Sequence, residues 1–124
     1  MKNVLTRLLV LLPVMAIFAA SALAGVEVIE IQKIQVAKAM SGVVSDPSGA
    51  PIAGATVAEV SADRKTVIQS TITDANGNFT LPRTHKNKVY HLMVSMKNFN
   101  PLVVHVKVSA RTSKLLNLQL YVAT

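Results

Sequence analysis

The chain has three imidazoles, His85, His91 and His105, and no cysteine. Imidazole ligates transition metals and exchanges protons near neutral pH. His91 and His105 lie in the stretch "VYHLMVSMKNFNPLVVHVKV", two runs of alternating residues joined by a short polar link. A turn centred on Asn98 pairs Val94 with Leu102, Leu92 with Val104 and Tyr90 with Val106. His91 and His105 then stand opposite each other on the outward face, with Cβ atoms about 5 Å apart. Two imidazoles suffice to touch a metal, but a zinc site takes three or four protein ligands. No carboxylate lies nearby in sequence. The pair therefore reads as surface histidines, and neither a metal nor a cofactor is expected.

Other chemistry finds less support. Zinc–thiolate sites and thiol catalysis need cysteine, which is absent. No His-x-x-Glu element and no nucleophile elbow is present. The stretch "DANGN", Asp74 to Asn78, places oxygen ligands at alternate positions, but it lacks the third acid and the later Glu of a calcium loop. It reads as a turn. No catalytic residue is assigned, and the chain is not expected to be an enzyme.

The balance of charge is basic, +7 with histidines neutral. Arg83, His85, Lys86 and Lys88 crowd one loop, Arg83 to Lys88, and Lys97 sits at a hairpin tip. Such a loop can meet anionic lipid, acidic polysaccharide or an acidic protein, although a solvated loop is the plainer reading. Nucleic acid is not expected, because the few aromatics offer no stacking platform.

The elements that must position these residues are strands. A period of two dominates beyond residue 25, and no long helical period occurs. Val26 to Ala39, "VEVIEIQKIQVAKA", alternates but slips register, which predicts an irregular extended arm or an edge strand with a bulge; a helix starting near Val26 is the alternative, which the β-branched residues disfavour. Met40 to Ser45 is a short strand. Asp46-Pro47-Ser48-Gly49 fits a type I turn, with Asp accepting a local N–H and Pro fixing φ. Strands follow over Ala55 to Ser61, Lys65 to Thr73, Asn78 to Leu81, Val89 to Met96, Leu102 to Val108 and Leu115 to Val122. Asn76-Gly77 predicts a tight hairpin, and "SADRKT", Ser61 to Thr66, another loop. In the last strand Leu116, Leu118, Leu120 and Val122 point inward. Seven short strands with turns about every ten residues predict an all-β, antiparallel β-sandwich.

Residues 1–24 stand apart. Lys2 and Arg7 precede the apolar "LLVLLPVMAIFAA", and "SALA" follows with Ala22 and Ala24 in the small-x-small pattern of a cleaved signal peptide. The apolar stretch is short for a membrane span and contains Pro13. No cysteine follows it, so no lipid anchor is expected. Cleavage after Ala24 leaves 100 residues of net charge +5. The expected organisation is a signal peptide over 1–24, an arm or edge strand over 25–39 and a domain over 40–124. The location follows as secreted or periplasmic, with no stable membrane span after cleavage.

The motifs resemble the carboxypeptidase regulatory-like domain, a transthyretin-like β-sandwich. Its pattern falls here on Gly42, Val44, Asp46, Gly49, Pro51, Gly54, Ala55 and Val57, then on Thr73, Asp74, Gly77 and Phe79. One element departs: Asn98-Phe99 stands where Gly-Tyr is usual. The resemblance covers Met40 to Val122. It implies a non-catalytic accessory domain, of the kind found beside metallocarboxypeptidase domains, in bacterial surface proteins and at the front of outer-membrane receptors. Related folds include hydroxyisourate hydrolases, which end in Tyr-Arg-Gly-Ser; this chain ends Tyr121-Val122-Ala123-Thr124. The expected role is a structural or protein–protein interaction module. A carbohydrate-binding module of the same fold is the alternative, but Tyr90 faces inward and Phe79 serves the fold. Only Phe99 and Tyr121 remain as aromatic platforms.

Overall fold

The computed structural model describes residues 27–85 and 88–124. The expected signal peptide, 1–24, lies outside these residues, as do Gly25 and Val26 of the arm and Lys86 of the basic loop.

The described chain is all β. Its strands are β1 (Ile29–Ala37), β2 (Ser41–Ser45), β3 (Thr56–Val60), β4 (Val67–Ile72), β5 (Asn78–Thr80), β6 (Val89–Ser95), β7 (Leu102–Val108) and β8 (Leu116–Gln119). They form a five-stranded sheet, ordered β1-β7-β6-β3-β4, and a three-stranded sheet, ordered β5-β2-β8. The seven expected strands are present, and the arm adds an eighth, β1, at the edge of the large sheet.

The ladders correct the antiparallel expectation. β1 runs parallel to β7 and β2 runs parallel to β8, while the other pairs are antiparallel. Parallel pairs join segments far apart in sequence, so the local turn signals could not show them. The arm's slipped register is real: between Ile31 and Gln35, β1 advances four residues against two on β7. The hairpin β6–β7 has the expected register, including Leu92 opposite Val104 and His91 opposite His105. Asn98 takes φ of 76° in its turn, a conformation that Asn tolerates better than most non-glycine residues.

Alternation buries one face of each sheet against the other. Val57, Tyr90, Leu92, Val94, Leu102, Val104 and Val106 of the large sheet meet Val44, Phe79, Leu116, Leu118 and Leu120. Val122 departs from the expected inward pattern. β8 ends before it, its side chain is exposed, and it instead bridges Phe99. The opposite face of the large sheet is not simply wet. Ala58, Val60, Met93 and Val103 form a second, smaller buried cluster there, flanked by Val28 and Val67.

Two glycines are fixed by close approach. At Gly42, a Cβ would stand 2.0 Å from the Leu116 carbonyl oxygen, because β2 and β8 press together there. At Gly77, φ is +77° and a Cβ would stand 2.6 Å from the Val44 carbonyl oxygen. The Asn76-Gly77 hairpin expectation is corrected by the same region. Only Gly77 has positive φ, its N–H donates to the Asp74 carbonyl at 2.9 Å, and β4 and β5 belong to different sheets. The segment is a corner between sheets. Thr73, buried beneath it, donates through Oγ1 to the Ile52 carbonyl at 2.7 Å and accepts from the Ala55 N–H at 2.9 Å.

Candidate functional site

β6 and β7 bring the histidine pair together on the outer face of the large sheet. Nδ1 of His91 and Nδ1 of His105 lie 2.8 Å apart, with ring planes 81° from parallel. Both residues are half-buried rather than plain surface groups, because the second cluster fills the face around them. The parallel β1–β7 pairing adds what the local sequence lacked, a carboxylate. Nε2 of His105 donates to Oε2 of Glu30 at 2.7 Å, and Arg64 forms an ion pair with Oε1 of the same carboxylate.

Electrostatics order this chain of groups. The hydrogen bond from His105, then that from Arg64, holds the Glu30 carboxyl below its usual range. Burial, then the nearby charges of His105, Lys88 and Arg64, pushes the His91 imidazole down. An ionised carboxylate only accepts, so His105 carries its proton on Nε2. A neutral His105 then accepts at Nδ1 from His91, and a charged one donates there instead. Among the described residues, no group of three or more His, Cys, Asp or Glu side chains is arranged to hold a metal.

A second polar cluster lies inside the sandwich. Glu59 alternates with Val57 and points inward, where it is 1% exposed. Its carboxylate accepts from Gln69 Nε2 at 2.9 Å and meets Lys88 Nζ at 3.1 Å. Thr84 Oγ1 stands 3.3 Å from both of its oxygens. Lys88 Nζ also lies 5.0 Å from the centre of the Tyr90 ring, a cation–π arrangement. The basic loop is thus only partly a solvated surface, since Thr84 and Lys88 turn inward to a buried acid. A buried carboxylate needs such partners to remain charged. The "DANGN" oxygens are engaged locally: Asp74 Oδ1 accepts from the Asn76 and Asn78 amides, each at 2.9 Å.

The third feature is a groove where the free edges of the two sheets face each other. β1 and β8 form its walls, and it encloses about 570 Å³, room for several side chains. Ile31, Ile34, Val36 and Leu115 line it and are all exposed. Lys33 and Lys114 flank it, and among the described residues no carboxylate lines it. The two-residue excess in β1 and Lys33 blunt the strand edge against ladder pairing, so side chains rather than backbone are offered. One end is tied by the Lys38 amide donating to the Lys114 carbonyl at 2.8 Å.

A family model for the carboxypeptidase regulatory-like domain matches residues 39–121. The chain belongs to that family. The match begins within the β1–β2 connection, so the carboxypeptidase regulatory-like domain here carries β1, with Glu30 and Ile34, as an addition on its N-terminal side. No curated protein matches the chain in sequence.

Sequence reasoning placed His91 and His105 correctly but missed Glu30, Arg64, Glu59 and the groove. The Glu59 signal was available in the parity of "TVAEV", which sends Val57 and Glu59 to one face. The aromatic candidates separate: Phe99 packs against the core as a partly buried residue, and Tyr121 stays exposed.

Proposed function

We propose that this protein is an exported, non-catalytic module that docks an acidic segment of a partner protein in the cell envelope or outside the cell. The observation that carries the reading is the β1–β8 groove: exposed apolar side chains, two flanking lysines and, among the described residues, no acid in the lining. Contiguous exposed apolar surface rimmed by polar groups is a mark of interaction sites. The occupant that complements it seats apolar side chains between the sheets and sets carboxylates against Lys33 and Lys114. Export is supported by the apolar stretch Leu8 to Ala20 and by the Ala22 and Ala24 pattern. The generally accessory character of the family is compatible with a non-catalytic role. A glycan platform has less support, because Tyr121 is the one exposed aromatic among the described residues.

The test is capture from envelope extract by wild type and by Ile34→Asp. The reading expects one acidic protein, retained at low salt, released at high salt, and lost in the variant while the melting temperature is unchanged. Capture that ignores both salt and the substitution contradicts it. Binding on a glycan array with no protein captured favours the carbohydrate-binding alternative.

A further inference from the structure

We propose that the His91–His105 hydrogen bond is an acid-sensitive latch: it holds while a single proton lies between the rings, and mild acid adds the proton that breaks it, expels the His91 ring and uncovers Val60 and Met93 beside it. The device does not depend on the docking role.

The two Nδ1 atoms lie 2.8 Å apart across a directly opposed residue pair. At that distance one ring donates and the other accepts. Glu30 fixes a proton on the far nitrogen of His105, Nε2, at 2.7 Å. A first added proton leaves the bond in place, because a charged His105 donates at Nδ1 to a neutral His91. A second leaves two N–H groups and two positive charges face to face, with no acceptor between them. One ring must then leave. His105 is tied to Glu30, which is paired in turn with Arg64. Among the described residues, His91 is bonded to His105 alone, so its ring is the one that swings into solvent. Val60 pairs with His91 in the β3–β6 ladder, and Met93 lies two residues along β6; both are buried in the outer cluster.

The surrounding charges oppose the second proton. β7 brings His105 and, two residues on, the exposed Lys107; Lys88 precedes β6, and Arg64 follows β3. The acids of the neighbouring elements are already engaged. Glu30 of β1 is held by His105 and Arg64, Glu59 of β3 by Lys88 and Gln69, and Asp63 by the Ser61 hydroxyl and the Lys65 amide. Burial, then the charges of His105, Lys88 and Arg64, pushes His91 below its ordinary 6.5, with Glu59 the smallest and opposing influence. In the unfolded chain His91 regains that ordinary value. Below 6.5 the unfolded state therefore binds a proton that the folded state refuses, and stability falls as pH falls toward the folded value.

The experiment follows the purified protein, its histidines labelled with nitrogen-15, from neutral pH down to about pH 5, above the usual carboxylate range. At neutral pH, magnetic resonance should show nitrogen–nitrogen coupling between the two Nδ1 atoms across the hydrogen bond. His91 should take its proton below 6.5, and the coupling should vanish and the Met93 methyl signal shift in that same step. Over this range the unfolding equilibrium constant from denaturant titration should rise by up to about tenfold per pH unit, the linkage of one proton. His91→Gln, checked for fold by circular dichroism, should flatten that rise, and His85→Ala should keep it. Absence of the coupling at neutral pH, a His91 that titrates at or above 6.5, or a folded His91→Gln with the full wild-type rise overturns the proposal.

Discussion

Glu30, on the first strand, accepts a hydrogen bond at 2.7 Å from Nε2 of His105, 75 residues further along the chain. This contact closes the parallel β1–β7 ladder on the outer face of the sheet. It ties the segment before residue 39 to the family domain by more than backbone pairing. Glu30→Ala should therefore speed amide hydrogen exchange across β1 and leave β2, β5 and β8 protected. Uniform loss of protection would mean that β1 is not a separable unit.

Gly42 is predicted to be the least substitutable glycine. In Gly42→Ala the new methyl meets the Leu116 carbonyl, a backbone atom that cannot swing aside. Overpacking of this kind costs about 3 kcal/mol or more. Denaturant unfolding gives the value, and a loss below about 1 kcal/mol would contradict the β2–β8 contact.

Leu92 and His91 test the hairpin register as a pair. Leu92 is fully buried, and Leu92→Ala should cost about 2–5 kcal/mol. His91 is half-buried and bonded to His105, so its removal should cost on the order of 1 kcal/mol, a typical net hydrogen bond. A register slipped by one residue would invert the two values.

Asp46 predicts an acid-sensitive turn. Its carboxylate accepts from Ser48 Oγ at 2.6 Å and from the Ser48 and Ala50 amides at 2.9 and 3.0 Å. The Ser48 hydroxyl, then the Ala50 amide, holds its pKa below 3.8. A depressed carboxyl stabilises the fold above its unfolded pKa, and that contribution is lost as pH falls through the folded value. Asp46→Ala should melt below wild type at neutral pH, and the two curves should converge in acid well under pH 3.8. A constant gap would mean that the carboxylate's charge is not what stabilises the turn.

The β6–β7 register was legible because it depends on local facts: alternation on both runs and an Asn able to take positive φ between them. The seven domain strands were legible for the same reason. The parallel pairs were not, since nothing near Ile29 names Leu102 as its partner. Everything resting on them was hidden with them: the Glu30–His105 contact, the role of Arg64 and the groove between β1 and β8. The corner at Asn76-Gly77 misled because a tight turn looks alike in sequence whether its flanking strands pair or part into different sheets.

The most direct measurement of the docking account is site-specific photo-crosslinking in envelope extract. A crosslinker replacing Leu115 lies in the groove. One replacing Ile72, on the opposite edge of the large sheet, is as apolar and more exposed, 64% against 56%. Position 115 should give a salt-sensitive adduct with one acidic protein, and position 72 none. Equal adducts from both positions, or an adduct from position 72 alone, would contradict it.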